Sequence, residues 1–344
     1  MNGRVRRREV VTKSGIFETP LFLPVYQPDD ACTIKELKET FQIRGLILNS
    51  YFLYKNRPVK GEVLAKGIKD YLQFDGMVMS DSGAFQQLRG PLYLSNKKII
   101  AFQRDIGVDI ASPLDLISPP GDNRSTASKK LGTTLKRIRQ GMNISGESVL
   151  AGVQQGGRFL ELRGRSITSL VEMGVAYIAL GSLVPFFNRG HRMDFVGQVI
   201  LQARQLCPPE TPLHLYGSGD PLELPFYAAL GCDVFDSSSF VHYARQGWLM
   251  TPYGSFSDRE ALKRAEIPCE SPYYLEGGEA IWENEALLIR HNLWTILRVM
   301  DQITHSLEGG SLSRHLEHLI EVHQRLFSDS QLRKSWYALH EGGE

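Results

Sequence analysis

The chain has 344 residues, 42% of them hydrophobic, which is long and apolar enough for one large domain or two ordinary ones and unlike a disordered chain. Lysine and arginine number 39 against 38 acidic residues, a formal charge of +1 that excludes a global field drawing the protein to nucleic acid and leaves that task to local patches. Four cysteines, Cys32, Cys207, Cys232 and Cys269, lie far apart without a CxxC pair; this speaks against a disulfide framework or a self-evident zinc cluster and fits a reducing cytoplasm.

The basic start, Arg4-Val5-Arg6-Arg7-Arg8-Glu9, leads into no apolar core of signal length, and no stretch approaches the roughly 18 consecutive apolar residues of a membrane span. The expectation is a protein with no export signal and no membrane partner. Short apolar runs then recur: Leu21 to Val25, Gly45 to Leu48, Gly76 to Met79, Val108 to Ile110, Ser148 to Val153, Ala176 to Leu180, Pro212 to Leu215 and Cys232 to Phe235. Segments with helical spacing lie between them, at Ile34 to Phe41, Lys97 to Arg104, Ser125 to Met142, Arg165 to Met173 and Met193 to Leu206. Eight such units in about 250 residues predict an α/β fold, a (β/α)8 TIM barrel whose site lies at the C-terminal ends of its strands. The rival is an open doubly wound sheet, disfavoured because no GxGxxG follows the first strand. After the eighth run comes a turn-rich insert at about 255–283, then amphipathic helices from Asn284 to Met300 and Leu312 to Leu326. Residues 1–328 are read as the barrel domain with its insert, and 329–344 as a polar tail to which no element is assigned.

Two acids stand out because each ends an apolar run and is followed by small residues: Asp81 in Met79-Ser80-Asp81-Ser82-Gly83-Ala84-Phe85, and Asp236 in Phe235-Asp236-Ser237-Ser238-Ser239. Carboxylates at two strand ends point to paired chemistry, although Asp and Ser also favour helix N-caps. Phe85 could face a flat group. Polar or glycine-rich punctuation follows most of the other runs, as in Asn49-Ser50-Tyr51, Asp115, Gln154-Gln155-Gly156-Gly157, Gly181-Ser182 and Tyr216-Gly217-Ser218-Gly219-Asp220. Any one loop has this make-up by default; the recurrence of amide, carboxylate and glycine at one end is what makes the set informative.

On these motifs the chain resembles the tRNA-guanine transglycosylase family from about Thr19 to about Leu326. Asp81-Ser82-Gly83-Ala84-Phe85-Gln86 is similar to the family's DSGGFQ, Val153-Gln154-Gln155-Gly156-Gly157 to its VQGG, and Phe235-Asp236-Ser237 to the FDS or FDC ending the eighth strand. Leu114-Asp115-Leu116-Ile117-Ser118-Pro119-Pro120 is similar to the LDIPTPP of the archaeosine-forming branch, and Gly181-Ser182-Leu183-Val184-Pro185 leans the same way. The resemblance implies a pentosyltransferase that replaces guanine in tRNA by a 7-deazaguanine without cutting the backbone. Asp236 would be the nucleophile that holds the sugar covalently, and Asp81 the general acid/base. It also implies a base site in which Asp115 accepts from the guanine edge, Gln155 and the backbone around Gly181 and Leu183 donate to its carbonyl, and Phe85 and Tyr216 sandwich the ring. Two acids at an oxocarbenium-like centre would equally serve a retaining glycosidase acting on free sugars.

The family's zinc motif, CxCxxC with a later histidine, is degenerate here: Cys269 and His291 remain, with Ser271 and Tyr274 at the other two positions. Two ligands do not close a tetrahedral site, so no zinc and no other cofactor is expected. Ala84 stands at the family's second glycine and Ile117 where bacterial members can place a cysteine. No stretch resembles the extra RNA-binding domain of archaeal members, which leaves Lys129, Lys130, Lys136, Arg137, Arg245, Lys263, Arg264 and Arg290 as candidate phosphate contacts, each also readable as an ordinary solvated charge. The alternatives are insertion of 7-deazaguanine into DNA and a non-catalytic RNA-binding partner subunit; pairing of chains, as a homodimer or with a second subunit, is a family expectation.

Overall fold

A computed structural model describes residues 6–28, 31–84 and 94–341. All eight apolar runs form parallel strands. We number the strands β1 Glu9–Thr12, β2 Gly15–Glu18, β3 Leu21–Pro24, β4 Gly45–Asn49, β5 Met77–Asp81, β6 Ile110–Ala111, β7 Val149–Leu150, β8 Gly152–Gln154, β9 Ile178–Leu180, β10 Leu213–Leu215, β11 Val234–Ser237, β12 Leu249–Thr251 and β13 Gly254–Phe256. One parallel sheet runs β3-β11-β10-β9-β8 and another β4-β5-β6-β7. They meet at both edges: Ala151 alone separates β7 from β8, and Val25, just past β3, bridges Ile47 of β4 in parallel.

Alternation along the strands builds two cores. Phe22, Leu46, Leu48, Val78, Leu213, Leu215 and Phe235 face the helices in the larger core. Leu21, Leu23, Ile47, Met77, Met79, Ile110 and Val234 turn the other way and pack on one another in a smaller one. Strands buried on both faces read as unbroken apolar runs, which is why they were visible in the sequence. The hairpin β1–β2 was not: it alternates too briefly, and only Val10 enters the inner core, joined by half-buried Phe17.

The helices Ile34–Glu39, Asn96–Asp105, Arg124–Met142, Leu160–Glu172 and Asp194–Leu206 overlie the predicted ones. The helix read from Asn284 runs Glu285–Glu308, capped by Asn284, whose side chain accepts from Leu287 N at 3.1 Å. The insert carries the β12–β13 hairpin's end, two short helices at Arg259–Ala265 and Pro272–Gly277, and a 3-10 turn at Gly278–Glu283. The stretch read as a polar tail contains a helix, Leu332–Glu341. Leu332 and Trp336 are buried, and Trp336 meets Phe226 edge-on at 5.0 Å. One apolar residue per turn on a polar background anchors it.

At the N-terminal end of β11, Asp233 is 2% exposed and lies 2.7 Å from Arg8 and 2.8 Å from Arg204, both buried; its Oδ2 also accepts from Leu213 N at 2.8 Å. Replacing Asp233 by Ala leaves two buried guanidinium groups without their counter-ion. We expect a loss of about 3–5 kcal/mol in chemical denaturation, against near-neutral cost for Glu39→Ala, an exposed pair.

Candidate active site

The parallel register brings the punctuation residues to one edge. Asn49 at the end of β4 pairs with Asp81 at the end of β5, and Asp236 on β11 lies opposite Leu23 of β3. Asn49 does two things with one amide: its oxygen caps the helix Ser50–Lys55 by accepting from Tyr51 N and Phe52 N, and its nitrogen donates to Asp81 Oδ2 at 3.1 Å. Asp81 Oδ1 accepts from Gly83 N, across a turn in which Gly83 has φ +78°. Asp236 Oδ1 accepts from Gly217 N at 3.2 Å and lies 2.8 Å from His214 Nε2. Asp236 is not an N-cap of the kind its sequence allowed: the cap of the helix Ser239–Arg245 is Ser238, without a side-chain bond.

Three carboxylates share this edge. Asp81 keeps some exposed surface, yet it is surrounded closely enough that burial is the main cause holding its pKa up at about 7, and the charges of Asp236 and Asp115 add to it. Burial also raises Asp115 to about 6, against a hydrogen bond from Gln155. The phenol of Tyr216, pushed far up by burial, also feels the charges of all three acids; its hydroxyl is 3.2 Å from Ser112 Oγ.

Asp115 and the amide loops form one chain of bonds. Gln155 Nε2 donates to Asp115 Oδ2 at 2.6 Å, Ser182 Oγ donates to Gln155 Oε1 at 2.7 Å, and Ser118 N donates to Ser182 Oγ at 3.1 Å. Ser182 takes φ +56°, which aims its hydroxyl at the glutamine. Gly181 has no room for a side chain: a Cβ there would come within 2.8 Å of Val153 and 2.9 Å of Gln155. Its N–H already donates to Gln154 O at 3.1 Å, and the Leu183 side chain is fully buried, so the expected donors at these two positions are narrowed to what the backbone leaves over. Phe85 lies outside the described residues.

Sequence reasoning missed three buried polar residues here. Arg163, fully buried on the helix Leu160–Glu172, donates to Gly157 O at 2.7 Å, Gln154 Oε1 at 2.9 Å and Gly181 O at 3.0 Å, clamping two loops together. His214, inside an otherwise apolar strand, and Tyr177, whose hydroxyl is 2.9 Å from His214 Nδ1, are the other two. The signal for Arg163 and His214 was a polar side chain within an apolar stretch.

The basic candidates fare unevenly. Arg290 is bound to Glu36 by two nitrogens and donates to Ala31 O and Ala286 O, so it serves the fold and is not available to phosphate. Lys263 pairs with Glu260 and Glu279, Arg264 with Asp258, and Arg245 with Glu285, all exposed. Lys130 is held by Asp122 and Arg137 by Leu114 O, while Lys129 and Lys136 are exposed. A cavity of about 430 Å³ lined by Arg189, His191, Asp220, Tyr243 and Trp248 lies beside this edge, and none of the three carboxylates lines it.

At the degenerate metal motif, His291 Nε2 donates to Met250 O at 2.9 Å, which leaves Nδ1 buried as an unpartnered acceptor; burial holds this imidazole down at about 4. Burial raises the Cys269 thiol to about 11, and Ser271 Oγ is buried without a partner. Among the described residues no three His, Cys, Asp or Glu side chains converge as a metal site, and no helix is long and apolar enough to cross a membrane.

Because folded Asp81 holds its proton to about pH 7 and an ordinary Asp only to 3.8, the folded chain binds the extra proton between these values. This group's contribution to stability therefore falls as pH rises from about 4 to 7 and is level above. In Asp81→Asn that component is gone. We expect the variant to gain roughly 1–3 kcal/mol over the parent on going from pH 5 to pH 8, read from denaturation curves at each pH.

The model of the family described as queuine tRNA-ribosyltransferase matches residues 2–325. A tRNA-guanine(15) transglycosylase of Methanosarcina mazei is 32% identical over 321 residues, 92% of this chain and 65% of that protein. The one of Methanopyrus kandleri is 32% identical over 95% of this chain and 71% of its own length, and the one of Pyrococcus furiosus 33% over 95% and 56%. The chain thus spans about two thirds, or less, of most of these relatives. With nearly its whole length inside the match, and the motif acids Asp81, Asp115 and Asp236 gathered at one edge, the chain belongs to the queuine tRNA-ribosyltransferase family.

Proposed function

We propose that the protein is a base-exchanging pentosyltransferase that replaces guanine in tRNA by a 7-deazaguanine through a covalent Asp236–ribosyl intermediate. The observation that carries the reading is the set of three carboxylates around Tyr216, two of them with raised pKa. Relatives named for guanine 15 of tRNA supply the polymer and the base. The two sheets are read as one closed (β/α)8 barrel, with β7 and β8 as a single strand and the Val25–Ile47 bridge as the closure; the reaction would occupy the C-terminal mouth.

In this reading the Asp236 carboxylate attacks the anomeric carbon as the bond to guanine breaks. Asp81, with a pKa near neutrality, gives its proton to the departing base and later takes one from the incoming base. Asp115 accepts from the N–H edge of the base, and its pKa of about 6 leaves it ready to ionise against those donors. Gln155 retains a second amide hydrogen for the base carbonyl while bound to Asp115. The Tyr216 ring, with Phe85 as its expected counterpart, offers a stacking platform worth about 1–3 kcal/mol. No residue set for zinc is proposed: a thiol kept protonated by burial and one imidazole are a poor donor pair. Four free thiols fit a reducing compartment.

The test is incubation with radiolabelled guanine and total tRNA beside genomic DNA. Label should enter tRNA, be absent with Asp236→Ala, and fall about 100- to 10,000-fold in rate with Asp81→Asn, which also removes a limb of the pH profile near 7. Label entering only DNA would keep the chemistry and reject tRNA; none in either would reject the catalytic reading in favour of a partner subunit. Metal analysis is expected to find zinc well below one per chain, and stoichiometric zinc lost on replacing Cys269 would refute that expectation.

A further inference from the structure

We infer that His214, backed by Tyr177, is a positioning residue that holds Oδ1 of Asp236 and leaves Oδ2 as the attacking oxygen. The inference rests on the base-exchange reading and says which atom acts and what orients it. Leu213 and Leu215 point into the helix-facing core, so the alternation of β10 turns His214 inward, where it is fully buried among apolar side chains. A buried imidazole needs partners for both nitrogens. Nδ1 lies 2.9 Å from the Tyr177 hydroxyl, itself buried. Nε2 lies 2.8 Å from Asp236 Oδ1 without the alignment of a hydrogen bond, and has no hydrogen-bond partner. Contacts of this kind commonly align only once substrate is bound.

In this inference the Tyr177 hydroxyl, 2.9 Å away, is the donor to Nδ1. With that bond in place the ring carries a proton on Nε2, facing the carboxylate. Gly217 N donates to the same Oδ1 at 3.2 Å. With Gly217 N bonded to Oδ1 and His214 Nε2 facing the same oxygen, Oδ2 is the one left for the sugar. In the first half-reaction the bond from Oδ2 to the anomeric carbon forms as the bond to guanine breaks, its electron pair leaving with the base and the proton coming from Asp81. In the second, a nitrogen of the incoming base attacks that carbon and gives up its proton to Asp81, the Oδ2 bond breaks, and the pair returns to the carboxylate. Donors bind a carboxylate oxygen more strongly than an ester carbonyl. His214 therefore orients the attack and also favours the step in which the ester is broken.

The experiment compares wild type, His214→Ala, His214→Gln, Tyr177→Phe and Asp236→Ala in guanine exchange on whichever polymer takes label, with the covalent protein–polymer adduct read on denaturing gels. His214→Ala should lower kcat about 10- to 100-fold, the range of a lost bond to a charged group, with KM for the polymer unchanged. The adduct fraction at steady state should rise several-fold, and His214→Gln, which can place an N–H near the same oxygen, should restore part of both. A purely structural histidine would lower folded yield and leave the adduct fraction of the folded enzyme unchanged; that outcome overturns the inference. Nitrogen-15 NMR of the histidines reads the contact without activity: His214 should be the Nε2–H tautomer, lose that bias in Tyr177→Phe, and shift in Asp236→Asn. A Nδ1–H tautomer in wild type overturns the inference. If wild type labels neither polymer the base-exchange reading fails, and the NMR result still decides the His214 contact.

Discussion

Burial of carboxylates at the ends of parallel strands is the constraint on which this structure turns. Withdrawing a carboxylate from water costs several kcal/mol unless something compensates, and the protein handles that cost in opposite ways at its two ends. At the N-terminal end of β11, Asp233 has two guanidinium groups and a backbone N–H on it, and it ties the start of the chain to the sheet. At the C-terminal edge, Asp81 is met by an amide and a glycine N–H, and Asp115 by the amide of Gln155. Neutral donors fix orientation and compensate less, so these two acids end with pKa values of about 7 and about 6. Burial raises Asp233 as well, against its two guanidinium partners; paired acids support the fold at one end, and the raised acids at the other suit the proposed chemistry.

The loops that support the second group are held by backbone devices and by one buried cation. Gly181 is a glycine because Val153 and Gln155 occupy the space of a Cβ, and Ser182 accepts a left-handed backbone to reach Gln155. Beneath them Arg163 fastens Gly157, Gln154 and Gly181 together. A guanidinium suits this task, since its planar donors reach oxygens on separate loops at fixed angles. These loops would read the base in the proposed exchange, and they are tied to the helix behind by Arg163.

Remote from this edge, Cys269, Ser271, Tyr274 and His291 form a half-buried cluster in which the thiol is pushed up, the imidazole is pushed down, and two polar atoms stay unpartnered. Its side chains are joined to the fold by packing and by the bond from His291 to Met250 O. The long helix Glu285–Glu308 that bears His291 is anchored independently, through Asn292 to Met250 N and to the carbonyl of Trp248.

The eight strands and the main helices were legible in the sequence because burial on both faces leaves unbroken apolar runs, and amphipathic spacing marks what covers them. Asp81 and Asp236 were legible because each ends such a run beside small residues, and Asp115 through the motif it shares with the family. The β1–β2 hairpin and the helix Leu332–Glu341 were not, since each buries too few side chains for a local pattern to register. Nor could spacing tell that Arg290 is committed to Glu36, 254 positions away, or that Gln155 binds Asp115. His214 reads as a lone polar residue in a strand until folding sets Tyr177 on one nitrogen and Asp236 beside the other. Periodicity and composition are local properties and predicted the main elements, while short motifs carried the family resemblance and the motif acids. Which polar groups meet, and therefore which are neutralised, which are raised in pKa and which are aimed, depends on contacts between distant segments, and only the tertiary structure decided it.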